Sequence, residues 1–220
     1  MLIVLTAGLT TGWADVIQTN VLLPPALGAY SLEGICVSAL NRCTEDVTVS
    51  GFNITTTTEQ SGNELVTVDA NYSAGVFTDN GGLPGLFIGQ LVLSGTVNFT
   101  FVGRDPGIDP LGTFTTELTA FDFTGILNGQ SFEVKQNPGS ASIGSTTILE
   151  ATFVPPIEYN VSSSLEVFGE YSVNGSPFTA APGQTTTLTT VPEPISGLLE
   201  GSMMIVALWT LSRRSRVSRS

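Results

Sequence analysis

Histidine is absent from the 220-residue chain. That excludes Ser-His-Asp and Cys-His catalysis, histidine-containing zinc sites and the facial triad of non-haem iron. Lysine is nearly absent as well, Lys135 being the single one, and charged residues make up only 12% of the chain. What charge there is has one sign. Between Asp15 and Thr190 lie 17 acidic residues against three basic ones, Arg42, Arg104 and Lys135, a net −14. Such a surface repels phosphate backbones and anionic headgroups, so nucleic acid is not an expected partner. It attracts cations, calcium included, but acidity of this kind also serves solubility. With two cysteines, Cys36 and Cys43, the chain has no Cys-rich metal site. Seven residues apart in an exported protein, the pair fits one short disulfide loop; two free thiols are the alternative.

The ends differ from the middle. Residues 1–14, MLIVLTAGLTTGWA, form an apolar run without Lys or Arg. Gly12 and Ala14 are the small residues that a signal peptidase favours, placing cleavage before Asp15. The run is read as a signal peptide whose start is truncated or lies upstream; the alternative is a buried N-terminal strand or helix.

At the other end, a Thr-rich spacer (181–191) leads into Pro192-Glu193-Pro194, an apolar stretch from Ile195 to Leu211, and Arg213, Arg214 and Arg216. Two prolines two apart break regular structure, because proline donates no backbone hydrogen bond and biases its predecessor to an extended form. At about 1.5 Å per residue the apolar stretch spans about 25 Å as a helix, enough for a marginal crossing of a bilayer core of about 30 Å. The arginines would keep its far end cytoplasmic and everything before it outside. Residues 192–216 resemble the PEP-CTERM sorting signal of bacteria that make exopolysaccharide. The resemblance implies an exported protein of the cell envelope, outer surface or extracellular matrix, first anchored in the inner membrane by its C-terminal helix. It also implies processing by an exosortase-type enzyme that recognises Pro192, Glu193 and Pro194 with the basic cluster.

The remainder, 15–180, reads as the body. It has 24 Gly in the whole chain to draw on for turns, and its runs are rich in Thr, Val, Ile and Phe. Alternation in Val97-Asn98-Phe99-Thr100-Phe101 and Leu165-Glu166-Val167 places apolar side chains on one face at period two. Expected strands cover 46–56, 64–71, 75–78, 87–102, 113–127, 131–135, 146–153 and 163–173. Asn128-Gly129 and Asn174-Gly175 mark tight turns that require positive φ at both residues. Eight strands without an amphipathic helix imply an all-β fold, an antiparallel β-sandwich or jelly-roll-like body, followed by the transmembrane helix.

Candidate chemistry in the body is sparse. Asp105 and Asp109 share the most polar loop and offer oxygen ligands for calcium, but the loop matches no EF-hand or RTX repeat, and Asp-Pro pairs also form ordinary turns. Asn53, Asn71, Asn98, Asn160 and Asn174 begin N-x-Ser/Thr sequons. Tyr159, Tyr171 and Phe178 are candidates for surface aromatics; the other aromatics read as core. No catalytic residue and no cofactor are expected. The reading is a non-enzymatic structural or interaction protein of the cell surface or exopolysaccharide. The alternative is an extracellular carbohydrate-binding module, with or without calcium.

Overall fold

The computed structural model describes residues 16–152 and 155–190, so the expected signal peptide (1–14) and sorting tail (192–216) lie outside the described residues. Within them the chain is all-β. Thirteen strands join in a single sheet in which every pairing is antiparallel, with one 3-10 turn at Ser38–Leu40. In chain order the first strands are β1 (Val16–Gln18), β2 (Gly28–Leu32), β3 (Ile35–Val37) and β4 (Arg42–Gln60). Next come β5 (Asn63–Asp79), β6 (Pro84–Val102) and β7 (Gly112–Leu127). The last are β8 (Gln130–Gln136), β9 (Ser142–Glu150), β10 (Tyr159–Val167), β11 (Gly169–Val173), β12 (Thr179–Ala180) and β13 (Gln184–Thr190).

Hydrogen bonding runs from β10 through β13, β2, β4, β5, β6, β7 and β9, and returns to β10. This circuit of eight strands closes on itself. The body is therefore one sheet wrapped into a barrel, a closure that the sequence left open beside the sandwich or jelly-roll reading. Closure also corrects the boundary at the C-terminal side: Gln184–Thr190, read from sequence as linker, is a wall strand held on both edges, by β10 and by β2. A run of threonines is as good a strand as a spacer, because its branched side chain suits a pleated surface.

Strict alternation makes the inside. On β5, Glu64, Val66, Val68, Ala70, Tyr72, Ala74 and Val76 are buried while Asp69 and Asn71 face water. Phe99 and Phe101 from β6, Phe121 and Phe123 from β7, and Leu165 from β10 join them in one continuous core. Each such side chain contributes about 1.5–3 kcal/mol on burial.

Two bulges redirect this pattern. On β7, Phe99 and Asn98 of β6 face Leu118 and Ala120, leaving Thr119 as an extra residue. Buried positions accordingly pass from Phe114, Thr116 and Leu118 to Phe121 and Phe123, a change of phase. The same point divides the outer edge of β7: residues 112–118 pair with β9 and 122–127 with β8. On β6, Val76 and Phe77 of β5 face Gly89 and Phe87, so Ile88 is the extra residue. Close approach is allowed by Gly95, where an added Cβ would stand 1.8 Å from the Asp122 carbonyl oxygen.

The barrel has two unlike ends, called lower and upper here. The lower end is where β5 begins and β6 finishes; the upper end carries the β5–β6 turn (80–83) and the β7–β8 turn at Asn128-Gly129. Both residues of the latter have positive φ, as that hairpin requires.

Candidate functional site

The interior comes first, since barrels of this size can hold a ligand. Here it is filled. An apolar void lined by Tyr30, Tyr72, Phe99, Phe121, Phe123 and Tyr171 among others measures about 50 Å³. That has room for water and for no sugar ring. Polar groups inside are mostly spoken for. Tyr30 donates to Ser163 Oγ at 3.0 Å, Ser163 and Thr146 hydroxyls lie 2.8 Å apart, and Thr116 donates to Thr146 at 2.7 Å. This chain of buried hydroxyls crosses β2, β10, β9 and β7, the seam where the barrel closes. Burial pushes the Tyr30 phenol up to about 12, with the Ser163 hydrogen bond opposing. The Tyr72 and Tyr171 phenols are raised by burial too. None of these hydroxyls has a base beside it, so the seam is cohesive rather than nucleophilic.

The lower end is plugged by charge. Glu64 and Arg104, both almost fully buried, form an ion pair, and Arg104 also donates to the Val21 carbonyl. The guanidinium lies 5.8 Å from the Phe114 ring centroid. Burial pulls Arg104 down to about 10. Beside this plug, an open groove of about 520 Å³ runs between residues 16–27 and Phe52–Ile54 of β4. Among the described residues no ionisable side chain lines it.

At the upper end, Cys36 and Cys43 face each other across β3 and β4 and are joined by a disulfide. Asp79 sits within reach of both sulfurs, but sulfurs already bonded to one another are not thiolate ligands, so the trio holds no metal. The Asp79 carboxylate instead accepts from the Gly82 amide at 2.7 Å. Hydrogen bonds from Ser38 and from Gly82 keep its pKa below the usual value. Leu86 N donates to Thr78 Oγ1 at 2.9 Å and Asn80 N to the Leu83 carbonyl at 2.8 Å. The disulfide loop thus braces the β5–β6 turn through Ser38 and Asp79.

What this brace presents is apolar. Leu83, Leu86 and Phe87 are 66%, 79% and 61% exposed, and Ile126 on the neighbouring hairpin is 72% exposed. Phe87 packs on Phe77, with ring centroids 5.2 Å apart. Counted by alternation, Phe87 shares the phase of buried Leu91 and Leu93; the bulge at Ile88 turns it outward. Sequence periodicity therefore missed it, and no local signal betrays the bulge apart from Gly89.

The residues singled out from sequence are placed as follows. Asp105 and Asp109 meet as a bridge pair in one tight turn. Asp105 Oδ1 already accepts from the Gly107 and Ile108 amides at 2.8 and 3.1 Å. No third acidic or sulfur ligand joins them among the described residues, so the turn has an internal reason for its aspartate. Tyr159 and Tyr171 pack half-buried against the core. Phe178 lies under Lys135, whose Nζ is 3.5 Å from the ring centroid and 3.4 Å from Glu170. The three do not form an open aromatic platform. Pro192, Glu193, Pro194, Arg213, Arg214 and Arg216 lie outside the described residues.

No family model, curated protein or solved structure matches the chain.

Proposed function

We propose that this chain is an exported, non-enzymatic surface protein of the bacterial envelope or exopolysaccharide matrix, delivered there by its C-terminal signal. The observation that carries the reading is the join between body and tail. Strand β13 is part of the barrel wall to Thr190, and Pro192 follows two residues later. The barrel wall thus ends two residues before Pro192-Glu193-Pro194 in the sequence, with the apolar stretch 195–211 directly after it. An exosortase-type enzyme in the membrane would grip the Glu193 carboxylate there, with Arg213, Arg214 and Arg216 fixing the depth of the helix.

Three further features agree with this reading. Val16 is fully buried and paired with Val161, so cleavage between Ala14 and Asp15 leaves the wall intact. The barrel is apolar within and shows Thr, Asn, Ser and Asp outside, the reverse of a lipid-facing barrel. Apolar side chains from β2, β5, β6, β7 and β10 pack together inside it, around a void of about 50 Å³.

The test is the intact mass of the protein recovered from cells with and without their exosortase. The reading expects loss of a C-terminal fragment beginning near Pro192–Pro194 only where the enzyme is present, and no loss in Glu193→Ala. Identical C termini in both strains would overturn it.

A further inference from the structure

Independently of how the tail is handled, we propose that the upper tip is a homotypic docking site: two copies of this chain associate there, side by side, through the outer edge of β6. Three observations converge on it. The first is an open backbone edge. β5 pairs with β6 from Pro84 onward, whereas β7 pairs only with residues 94–102. The β7–β8 turn leans on the intervening stretch, with Asn128 Nδ2 donating to the Ile88 carbonyl at 3.2 Å. From Pro84 to Phe87 no described strand flanks the outer edge.

The second is the apolar surface on that edge, Leu83, Leu86 and Phe87 with Ile126 beside them. Exposed edges in stable monomers are blunted by charged side chains, lysine above all. Pro84 blunts this one at a single position; no charge does.

The third observation selects the occupant. From Asn80 to Gly103 the sequence contains no ionisable residue, in a body of net −14. The one carboxylate beside it, that of Asp79, already accepts from the Gly82 amide, so a basic partner finds little here to hold. A second acidic copy, repelled over the rest of the surface, meets no carboxylate on residues 80–103 themselves. Insertion into lipid hydrocarbon would bury the unpaired backbone edge without partners, at several kcal/mol for each group. An antiparallel strand from another copy satisfies that backbone and covers the side chains at once. A two-fold axis through the tip brings the same residues from both copies together, as an isologous contact requires. The wall strand β13 runs antiparallel to β5, so Thr190 lies at the end of the barrel opposite this tip.

The experiment is sedimentation velocity on the full chain in detergent, over a range of protein concentration, for wild type, Phe87→Asp and Leu27→Asp. Leu27 is 70% exposed at the lower end and controls for loss of any surface leucine. Both replaced side chains lie on the surface, and thermal unfolding checks that the fold is kept. The proposal expects a concentration-dependent dimer for wild type and Leu27→Asp, and association weakened roughly tenfold or more by Phe87→Asp. A monomeric wild type overturns it, as does a dimer indifferent to Phe87→Asp or weakened equally by Leu27→Asp. Wild type that stays monomeric but binds phosphatidylcholine vesicles better than Phe87→Asp would assign the tip to lipid instead.

Discussion

At its lower end the barrel buries an ion pair, Glu64 with Arg104, while at its upper end it leaves two leucines, a phenylalanine and an isoleucine in water. Ordinary partition of side chains would do the opposite at each place. The lower arrangement is tolerable because the charges have each other, the Val21 carbonyl and the Phe114 ring. The upper one is tolerable because a disulfide and the Asp79 hydrogen bonds hold the backbone while the apolar groups contribute nothing to the core. One end is organised around internal partners. The other is organised to keep its shape without them.

The largest break in this contrast is Arg104→Ala. It strands the Glu64 carboxylate inside the barrel, and should cost about 3–5 kcal/mol in urea unfolding. The paired replacement Glu64→Leu with Arg104→Met should recover most of that loss, because the desolvated charges leave together. If the single substitution proves mild, the lower plug is wetter than described.

Next in size is the double change Cys36→Ser with Cys43→Ser. Closing so short a loop constrains the unfolded chain modestly, so the expected cost is about 2–3 kcal/mol. Its signature is positional: amide exchange should accelerate at 36–43 and 79–87 more than at the lower end. Uniform acceleration would mean that the disulfide serves the whole barrel and not the tip.

The smallest effect is the acid response of the tip. Asp79 has a folded pKa below its ordinary 3.8, so its contribution is present above that value and is lost as pH falls through the folded pKa. Protection of the Gly82 amide, relative to its intrinsic exchange rate, should fall over that acidic window and be lost at all pH in Asp79→Ala. An amide equally protected in the variant would show that the carboxylate does not hold the turn.

Much of the wall was legible from sequence. The alternating runs at 97–101 and 165–167, and Asn128-Gly129 as a hairpin turn, all express local rules. Closure was not. Val16 with Val161 and Gly28 with Thr190 are pairings between distant segments that carry no pattern of their own. The bulges at Ile88 and Thr119 are equally silent, since one extra residue looks the same as its neighbours until the partner strand is known. For that reason Phe87 was counted with the core. The Glu64–Arg104 pair was missed as well: two charges 40 residues apart look like surface until the barrel brings them together.

The seam has a consequence for timing. The first strand of the wall waits for a partner some 145 residues later, and β2 waits for the very last strand. Such a ring cannot be completed while its C-terminal segment is still being made or moved, and folding dominated by distant pairings is slow in any case. Were the chain exported as proposed, threading a membrane pore as an open chain would gain from this delay, since the barrel would lock only once β13, two residues short of Pro192, had emerged.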